Sequence, residues 1–191
     1  VETVPVMTDD RICFFTDTGS MYQVKAADVP AGKLKDKGVP LDNISRFEGA
    51  KERILLTMPA SELPGKKLLF ATRAAMLKIV PGGEFLTPNR MVAATKLSEG
   101  DQAAEIRILS GETEIVLQTK EGMFLRFMIN EIPELKKNSR GVRGMKLEDG
   151  DSLEHVYFPE NEPLAVYKEK EVHLNRLKMA KRDGKGTKTR V

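Results

Sequence analysis

The sequence predicts an all-β fold built from about four copies of one blade-like unit, the last of them partial. Two patterns recur with a period of about 50 residues along the 191-residue chain, and glycine and proline interrupt the chain too often for helices of ordinary length. In the first pattern an acidic-glycine turn precedes an apolar run. Its glycines are Gly49, Gly100 and Gly150, which lie 51 and 50 residues apart. Repeats of this length made of short strands are typical of blades arranged around a central axis.

The second pattern is a hairpin, in which a short apolar run, a turn and another apolar run follow one another. Its full copies are residues 15–22, 71–78 and 118–125. Gly19 and Gly122 supply the positive φ that a tight turn between strands favours. The middle copy has Ala74 and Ala75 instead, so we expect a different turn there.

A fourth hairpin, residues 165–174, has both apolar runs, after which the pattern stops. We therefore expect one domain with blade-like units at about 1–60, 61–110, 111–160 and 161–191. The end of the last unit, 176–191, is expected to be a basic tail. A short helix is conceivable only within 174–182.

Composition favours a globular protein that is neither disordered nor embedded in a membrane. Apolar residues make up 40% and charged residues 31% of the chain, and its mean hydropathy is −0.34, so a core can form. No apolar run approaches the length of a membrane span, and residues 1–10 lack the pattern of a secretory signal. The single cysteine, Cys13, lies in an apolar run and is expected to be a buried, unreactive thiol. We expect a cytoplasmic location.

The net charge is only +3, but the positive charges are concentrated in a few segments of the chain. Residues 176–190 carry seven bases against Asp183 alone, so this segment has a charge of +6 and the other residues sum to −3. A second basic run, 136–146, contains no acid and includes Gly141 and Gly144. Related loops earlier in the chain carry further bases. The candidate nucleic-acid-binding side chains are Lys33, Lys35, Lys37, Arg90, Lys136, Lys137, Arg140, Arg143, Lys146, Lys181, Arg182 and Lys185.

Radial copies of a basic loop would place these cations on one rim of the molecule. Such a rim suits a polyanion recognised through backbone phosphates rather than base edges. Glycines between the bases would let a phosphate approach main-chain N–H groups as well. The alternative is that the loops are ordinary solvated turns.

Three segments resemble the C-terminal domain of the A subunit of bacterial type IIA topoisomerases, DNA gyrase and topoisomerase IV. They are residues 13–25, 37–44 and 139–147, the last reading Ser-Arg-Gly-Val-Arg-Gly-Met-Lys-Leu. The resemblance covers nearly the whole chain. It leaves the choice between gyrase and topoisomerase IV open, because the gyrase heptapeptide Gln-Arg-Arg-Gly-Gly-Lys-Gly would stand upstream of Val1 and only three full units are counted.

This resemblance implies a β-pinwheel, a propeller-like array in which neighbouring blades exchange a strand and which can be incomplete or open. It further implies that the basic rim bends or wraps double-stranded DNA and presents a segment to a catalytic core. The implied partners are the ATPase B subunit and the remainder of the A subunit, in a heterotetramer. ATP and magnesium would act on those other parts, and the segment itself would be no enzyme and hold no cofactor.

The remaining residues suggest no catalytic or metal site. His155 and His173 are too few and too isolated for a zinc site or a triad, and the three tyrosines lie in apolar strand contexts. Two rival functions stay open. One is a protein-interaction propeller whose basic loops contact acidic surfaces. The other is an enzyme with a central-channel site, which would need polar residues that converge on the innermost strands, and none is evident.

Overall fold

A computed structural model describes residues 4–7, 9–29, 49 and 51–189. Regular structure in this part of the chain consists of β-strands and short 3-10 turns, so the predicted all-β fold is confirmed. Among the described residues no helix has the length and apolar character needed to cross a membrane. In chain order the strands are β1 (Arg11–Thr16), β2 (Ser20–Lys25), β3 (Ile54–Pro59), β4 (Lys67–Thr72), β5 (Met76–Pro81), β6 (Met91–Ala93), β7 (Ala103–Leu109), β8 (Glu114–Thr119), β9 (Met123–Met128), β10 (Val142–Arg143), β11 (Leu153–Tyr157), β12 (Leu164–Tyr167), β13 (Lys170–His173) and β14 (Thr187–Lys188).

The strands form four antiparallel sheets, three of four strands and one of two. In spatial order these are β3-β1-β2-β6, β10-β5-β4-β7, β11-β8-β9-β14 and β12-β13. Each begins from one of the predicted hairpins, and β12-β13 is the partial fourth copy. Its turn has positive φ at Lys168 (47°) and Glu169 (65°).

Each full sheet takes one edge strand from the unit that follows it. β6 comes after the β4-β5 hairpin yet pairs with β2, β10 comes after β8-β9 yet pairs with β5, and β14 comes after β12-β13 yet pairs with β9. This is the strand exchange of the β-pinwheel, and the sheets formed by the described residues do not close into a ring. The unit boundaries at about 60, 110 and 160 therefore do not separate the sheets. The segment from 176, expected as a basic tail, packs against the third sheet as far as residue 189.

The opposite edges of the sheets lie side by side. β7 contacts both β3 and β11, so we call the edge formed by β3, β7 and β11 the inner edge. The edge formed by the exchanged strands β6, β10 and β14 is the outer edge.

The core lies between neighbouring sheets. Phe15 of the first sheet meets Phe70 of the second sheet at a ring-centroid distance of 6.3 Å. It meets Phe85, in the 3-10 turn after β5, at 5.2 Å. A second cluster joins the second sheet to the third. Edge-on contacts between aromatic rings add to the burial of their apolar surface. Cys13 is buried as predicted, and burial raises the pKa of its thiol to about 12.

The middle hairpin uses the same turn as its neighbours, so the expectation of a different turn is wrong. Ala75 has a φ of 63°, compared with 78° at Gly19 and 82° at Gly122. Its N–H donates to the Thr72 carbonyl at 2.9 Å, as the Gly19 and Gly122 N–H groups donate to the threonines three residues before them. The repeat imposes the turn, and alanine tolerates the left-handed conformation at a cost of about 1 to 2 kcal/mol.

Candidate nucleic-acid interface

Three of the predicted basic residues occupy one structural position in successive units. In each unit, one residue of the outer strand pairs with the second residue of β2, β5 or β9. The residue two positions before it is Arg90, Arg140 or Lys185. The pairs that fix this register are Val92 with Met21, Val142 with Leu77, and Thr187 with Phe124. All three basic side chains are exposed. The fold thus repeats an exposed cation along the outer edge from sheet to sheet.

The third and fourth units extend this equivalence to two more positions. By the same register, Lys136 corresponds to Lys181, and Lys137 corresponds to Arg182. In the second unit these positions are Leu86 and Thr87. The positive charge of the outer edge is therefore concentrated in the 136–140 and 181–185 loops, while Lys33, Lys35 and Lys37 lie outside the described residues.

The 181–185 loop contacts residues 143–146, the segment that follows the 136–140 loop and begins at the end of β10. The Lys146 N–H donates to the Gly184 carbonyl and the Asp183 N–H to the Gly144 carbonyl, both at 2.9 Å. Arg143 forms an ion pair with Asp183, with Nε to Oδ1 at 2.5 Å. This bond, together with the positive charges of Lys146 and Arg182, lowers the pKa of the Asp183 carboxyl. Five predicted residues (Arg143, Lys146, Arg182, Lys185 and Lys181) thus lie in adjoining segments, with one carboxylate partly neutralising them.

Carboxylates fix the backbone of both loops, in which Lys136, Arg140, Lys181 and Lys185 are exposed. Arg182 is half-buried, and its Nη1 donates to the Arg143 carbonyl at 2.8 Å. The Lys137 N–H donates to Glu84 Oε2 at 2.8 Å, and the Arg182 N–H donates to Glu131 Oε1 at 3.1 Å. Glu84 and Glu131 occupy the 3-10 turns that follow β5 and β9. The repeat therefore anchors each loop to the preceding unit at the same place.

A buried lysine makes a second attachment to the 136–140 loop. Lys78 on β5 is 1% exposed, and its Nζ donates to the carbonyl oxygens of Lys136, Lys137 and Ser139 at 3.2, 2.9 and 2.6 Å. Burial lowers the pKa of its ammonium to about 8, an effect that the nearby Glu84 opposes. Sequence reasoning missed Lys78, because a lysine inside an apolar strand reads as a solvent-facing position.

Gln23 makes the corresponding attachment in the preceding unit. Its side-chain Nε2 donates to the carbonyls of Thr87 and Asn89 at 2.6 and 2.5 Å. These carbonyls correspond by register to those of Lys137 and Ser139. Two consecutive outer-edge loops are thus held through the same backbone oxygens, one by a neutral amide and the other by an ammonium.

The glycines of the basic run allow the loop to lie directly against β5. A Cβ on Gly141 would stand 2.4 Å from the Leu77 carbonyl oxygen, and one on Gly144 would stand 2.4 Å from Leu77 Cδ1. The missing side chains face the sheet. Packing therefore accounts for these glycines, and the idea that they open the backbone to phosphates stays a prediction.

Polar side chains also converge at the inner edge, contrary to the expectation from sequence. Arg107 on β7 donates to Glu162 Oε1 at 2.7 Å and to the Val156 carbonyl at 3.1 Å, and it lies 3.4 Å from Glu105. His155 on β11 stands 3.5 Å from Glu105, which raises the pKa of its imidazole. These groups satisfy one another across the second and third sheets, which is the pattern of a structural ion-pair network.

The chain matches the family model described as the DNA gyrase C-terminal domain, beta-propeller, over residues 10–46, 66–110 and 113–159. It is 29% identical to the DNA gyrase A protein of Staphylococcus aureus (strain MRSA252) over 98% of its own length and 22% of that protein. It is 30% identical to the DNA gyrase A protein of Klebsiella oxytoca over 81% and 18%. The chain thus spans about a fifth of the length of these curated relatives.

Solved structures share the fold. The C-terminal domain of DNA topoisomerase IV superimposes with a TM-score of 0.84 and 22% identity, covering 96% of this chain and 59% of that one. The E. coli ParC C-terminal domain gives a TM-score of 0.76 and 18% identity, covering 97% and 78%. The arrangement of exchanged strands described above is therefore that of a known architecture.

Proposed function

This chain belongs to the DNA gyrase C-terminal domain family, and on that premise we propose that it binds double-stranded DNA along its outer edge and bends it. The observation that carries the proposal is the repetition of an exposed cation at equivalent outer-edge positions, Arg90, Arg140 and Lys185. Side chains spaced by the repeat can neutralise phosphates at separate points along a duplex.

The stiffness of duplex DNA determines how many contacts bending requires. Curving a site of roughly 20 to 30 base pairs costs on the order of 1 to 6 kcal/mol, so several phosphate contacts must act together. The 136–140 and 181–185 loops offer such a set, and the Arg143–Asp183 ion pair joins the second loop to β10, which follows the first. Since these contacts read phosphates rather than base edges, we expect little sequence preference.

The same premise supports a proposal about the longer protein. We propose that the chain is part of the A subunit of a type II DNA topoisomerase, either gyrase or topoisomerase IV. It would act in the cytoplasm with an ATPase B subunit and with the rest of the A subunit, as a heterotetramer. The segment itself would supply a DNA-binding surface, and ATP and magnesium would be used elsewhere.

The test compares charge reversal at the outer edge with the same reversal at the inner edge. The outer variant is Arg140→Glu with Lys185→Glu. The control is Arg53→Glu with Arg73→Glu, two exposed arginines that line a cavity of about 210 Å³ together with the inner-edge residue His155. Both variants change the net charge equally.

We expect the outer variant to bind a duplex more weakly and to reduce the slope of log K against log salt by about 2, since each phosphate contact contributes about 0.9. Circular dichroism and thermal melting should be unchanged. The inner variant should bind nearly as the unmodified chain does. Equal loss in both variants, or binding without salt dependence, would refute the outer-edge proposal.

A further inference from the structure

We propose that Lys78 is a positioning residue for DNA binding, which fixes the 136–140 loop so that its basic side chains face the duplex. This inference rests on the proposed function. The side chain of Lys78 is buried and does not itself face a ligand. It acts through the backbone carbonyls of Lys136, Lys137 and Ser139.

The ammonium of Lys78 has the donors needed to bind several carbonyl oxygens of the loop. A lysine ammonium has three donors and no acceptor, and here each donor reaches a different carbonyl oxygen of one loop. The partners lie 58, 59 and 61 residues away along the chain, so Lys78 ties the second sheet to the third-unit loop. With Glu84 accepting the Lys137 N–H, charged groups hold both the donors and the acceptors of this backbone.

The strand position of Lys78 does not require a lysine. The third residue of the second strand of each hairpin is Tyr22 on β2, Lys78 on β5 and Leu125 on β9. All three are buried, with 3%, 1% and 2% exposure. The fold thus accepts an apolar chain at this place. The ammonium is explained by what it binds, and what it binds carries Lys136, Lys137 and Arg140.

A loop that is already ordered favours DNA binding, because a mobile loop would have to become ordered when it binds. A free loop loses backbone freedom when its cations engage phosphates, whereas a fixed loop has already done so. An unpaired set of carbonyls would also leave the loop free to turn its basic side chains away. We therefore expect loss of the ammonium to weaken DNA binding without unfolding the sheet.

The test uses Lys78→Met, which keeps the length of the side chain and removes its donors. Lys78→Leu serves as a second variant, since Leu125 occupies the equivalent position. The matched control is Lys136→Met, which removes one cation from the same loop and leaves the buried attachment intact. Amide exchange of residues 136–140 is measured without DNA, and affinity for a duplex of about 30 base pairs is measured at several salt concentrations.

We expect Lys78→Met to accelerate exchange in the 136–140 loop and to weaken duplex binding about 3- to 10-fold, the range that one to two hydrogen bonds provide. Lys136→Met should leave exchange of the loop backbone slow. In a chain that already carries Lys136→Met, Lys137→Met and Arg140→Met, adding Lys78→Met should change affinity less than about 2-fold, because the loop cations that it positions are gone.

If Lys78 were purely structural, Lys78→Met would lower the melting temperature and leave duplex affinity unchanged well below that temperature. Alternatively, it would weaken binding equally in the unmodified chain and in the triple-methionine chain. Either result overturns the inference. If the unmodified chain itself shows no salt-dependent duplex binding, the proposed function fails and this inference fails with it. If instead the unmodified chain binds with salt dependence and Lys78→Met binds equally well, only the inference about Lys78 fails.

Discussion

Arg143 on β10 and Asp183 in the 181–185 loop form a two-point ion pair, with Nε to Oδ1 at 2.5 Å and Nη2 to Oδ2 at 3.1 Å. The pair engages one of the predicted DNA-binding side chains in an intramolecular contact. Asp183 has a φ of 67°, a conformation that asparagine also tolerates. Removing the carboxylate is therefore possible without disturbing the turn.

Asp183→Asn should strengthen duplex binding. The substitution releases Arg143 for a phosphate contact, so the slope of log K against log salt should steepen by about 0.9. Binding titrations at four or more salt concentrations measure the slope. Asp149→Asn, which alters an exposed acidic turn by the same charge, is the control and should have a smaller effect. An equal effect in both variants would indicate a response to net charge alone.

The hairpins could be predicted from the sequence because each is encoded locally. Apolar runs on both sides of a turn recur at 15–22, 71–78 and 118–125, and the structure places the longer hairpins β1-β2, β4-β5 and β8-β9 around these turns. The exchanged strands carry no comparable signal. β10 and β14 are two residues long, too short for an alternating pattern, and their pairing partners belong to the preceding unit. A residue-level interpretation therefore assigns them to loops or to a tail.

The candidate site was predictable only in part, for the same physical reason. Charge and glycine content identified the 136–146 run, and Arg90, Arg140 and Lys185 were named singly. Their equivalence depends on strand register, which the sequence does not display. Lys78 and Gln23 were missed because their partners are more than 50 residues away. A long-range hydrogen bond to a backbone carbonyl leaves no trace in the residue types around it.

Gly141→Ala should destabilise the domain more than Gly150→Ala. Both glycines have positive φ, 88° and 80°, so both substitutions incur the left-handed penalty of about 1 to 2 kcal/mol. At Gly141 the added Cβ would stand 2.4 Å from the Leu77 carbonyl oxygen, whereas at Gly150 nothing lies within 4 Å. Overpacking of this kind costs about 1 to 3 kcal/mol more. Urea unfolding of the two variants measures the difference, and similar losses would contradict the packing explanation.

Arg107→Lys should weaken the contact between the second and third sheets. Arg107 bonds Glu162, the Val156 carbonyl and Glu105, and it lies 4.9 Å from the Phe158 ring centroid. A lysine ammonium cannot reproduce this planar set of donors or its stacking. We expect a loss of about 1 to 2 kcal/mol in the free energy of unfolding. Lys67→Arg, at an exposed ion pair with Glu134, should change stability by less than about 0.5 kcal/mol.

Raising the pH through about 8 should weaken duplex binding while it stabilises the fold. The pKa of Lys78 is lowered by burial to about 8. Above that pH the neutral amine retains two hydrogens for three carbonyls, so the 136–140 loop is held less firmly.

Stability changes in the opposite direction. In the unfolded chain the ordinary lysine pKa of 10.5 applies, so between about pH 8 and 10.5 the unfolded state binds more protons than the folded state. The free energy of unfolding therefore rises with pH across this window as far as Lys78 determines it. Duplex affinity and melting temperature measured from about pH 7 to 9.5 test both trends. Lys78→Met should remove both pH trends, because methionine does not titrate. If the variant still loses affinity as the pH rises, another residue is responsible for the titration.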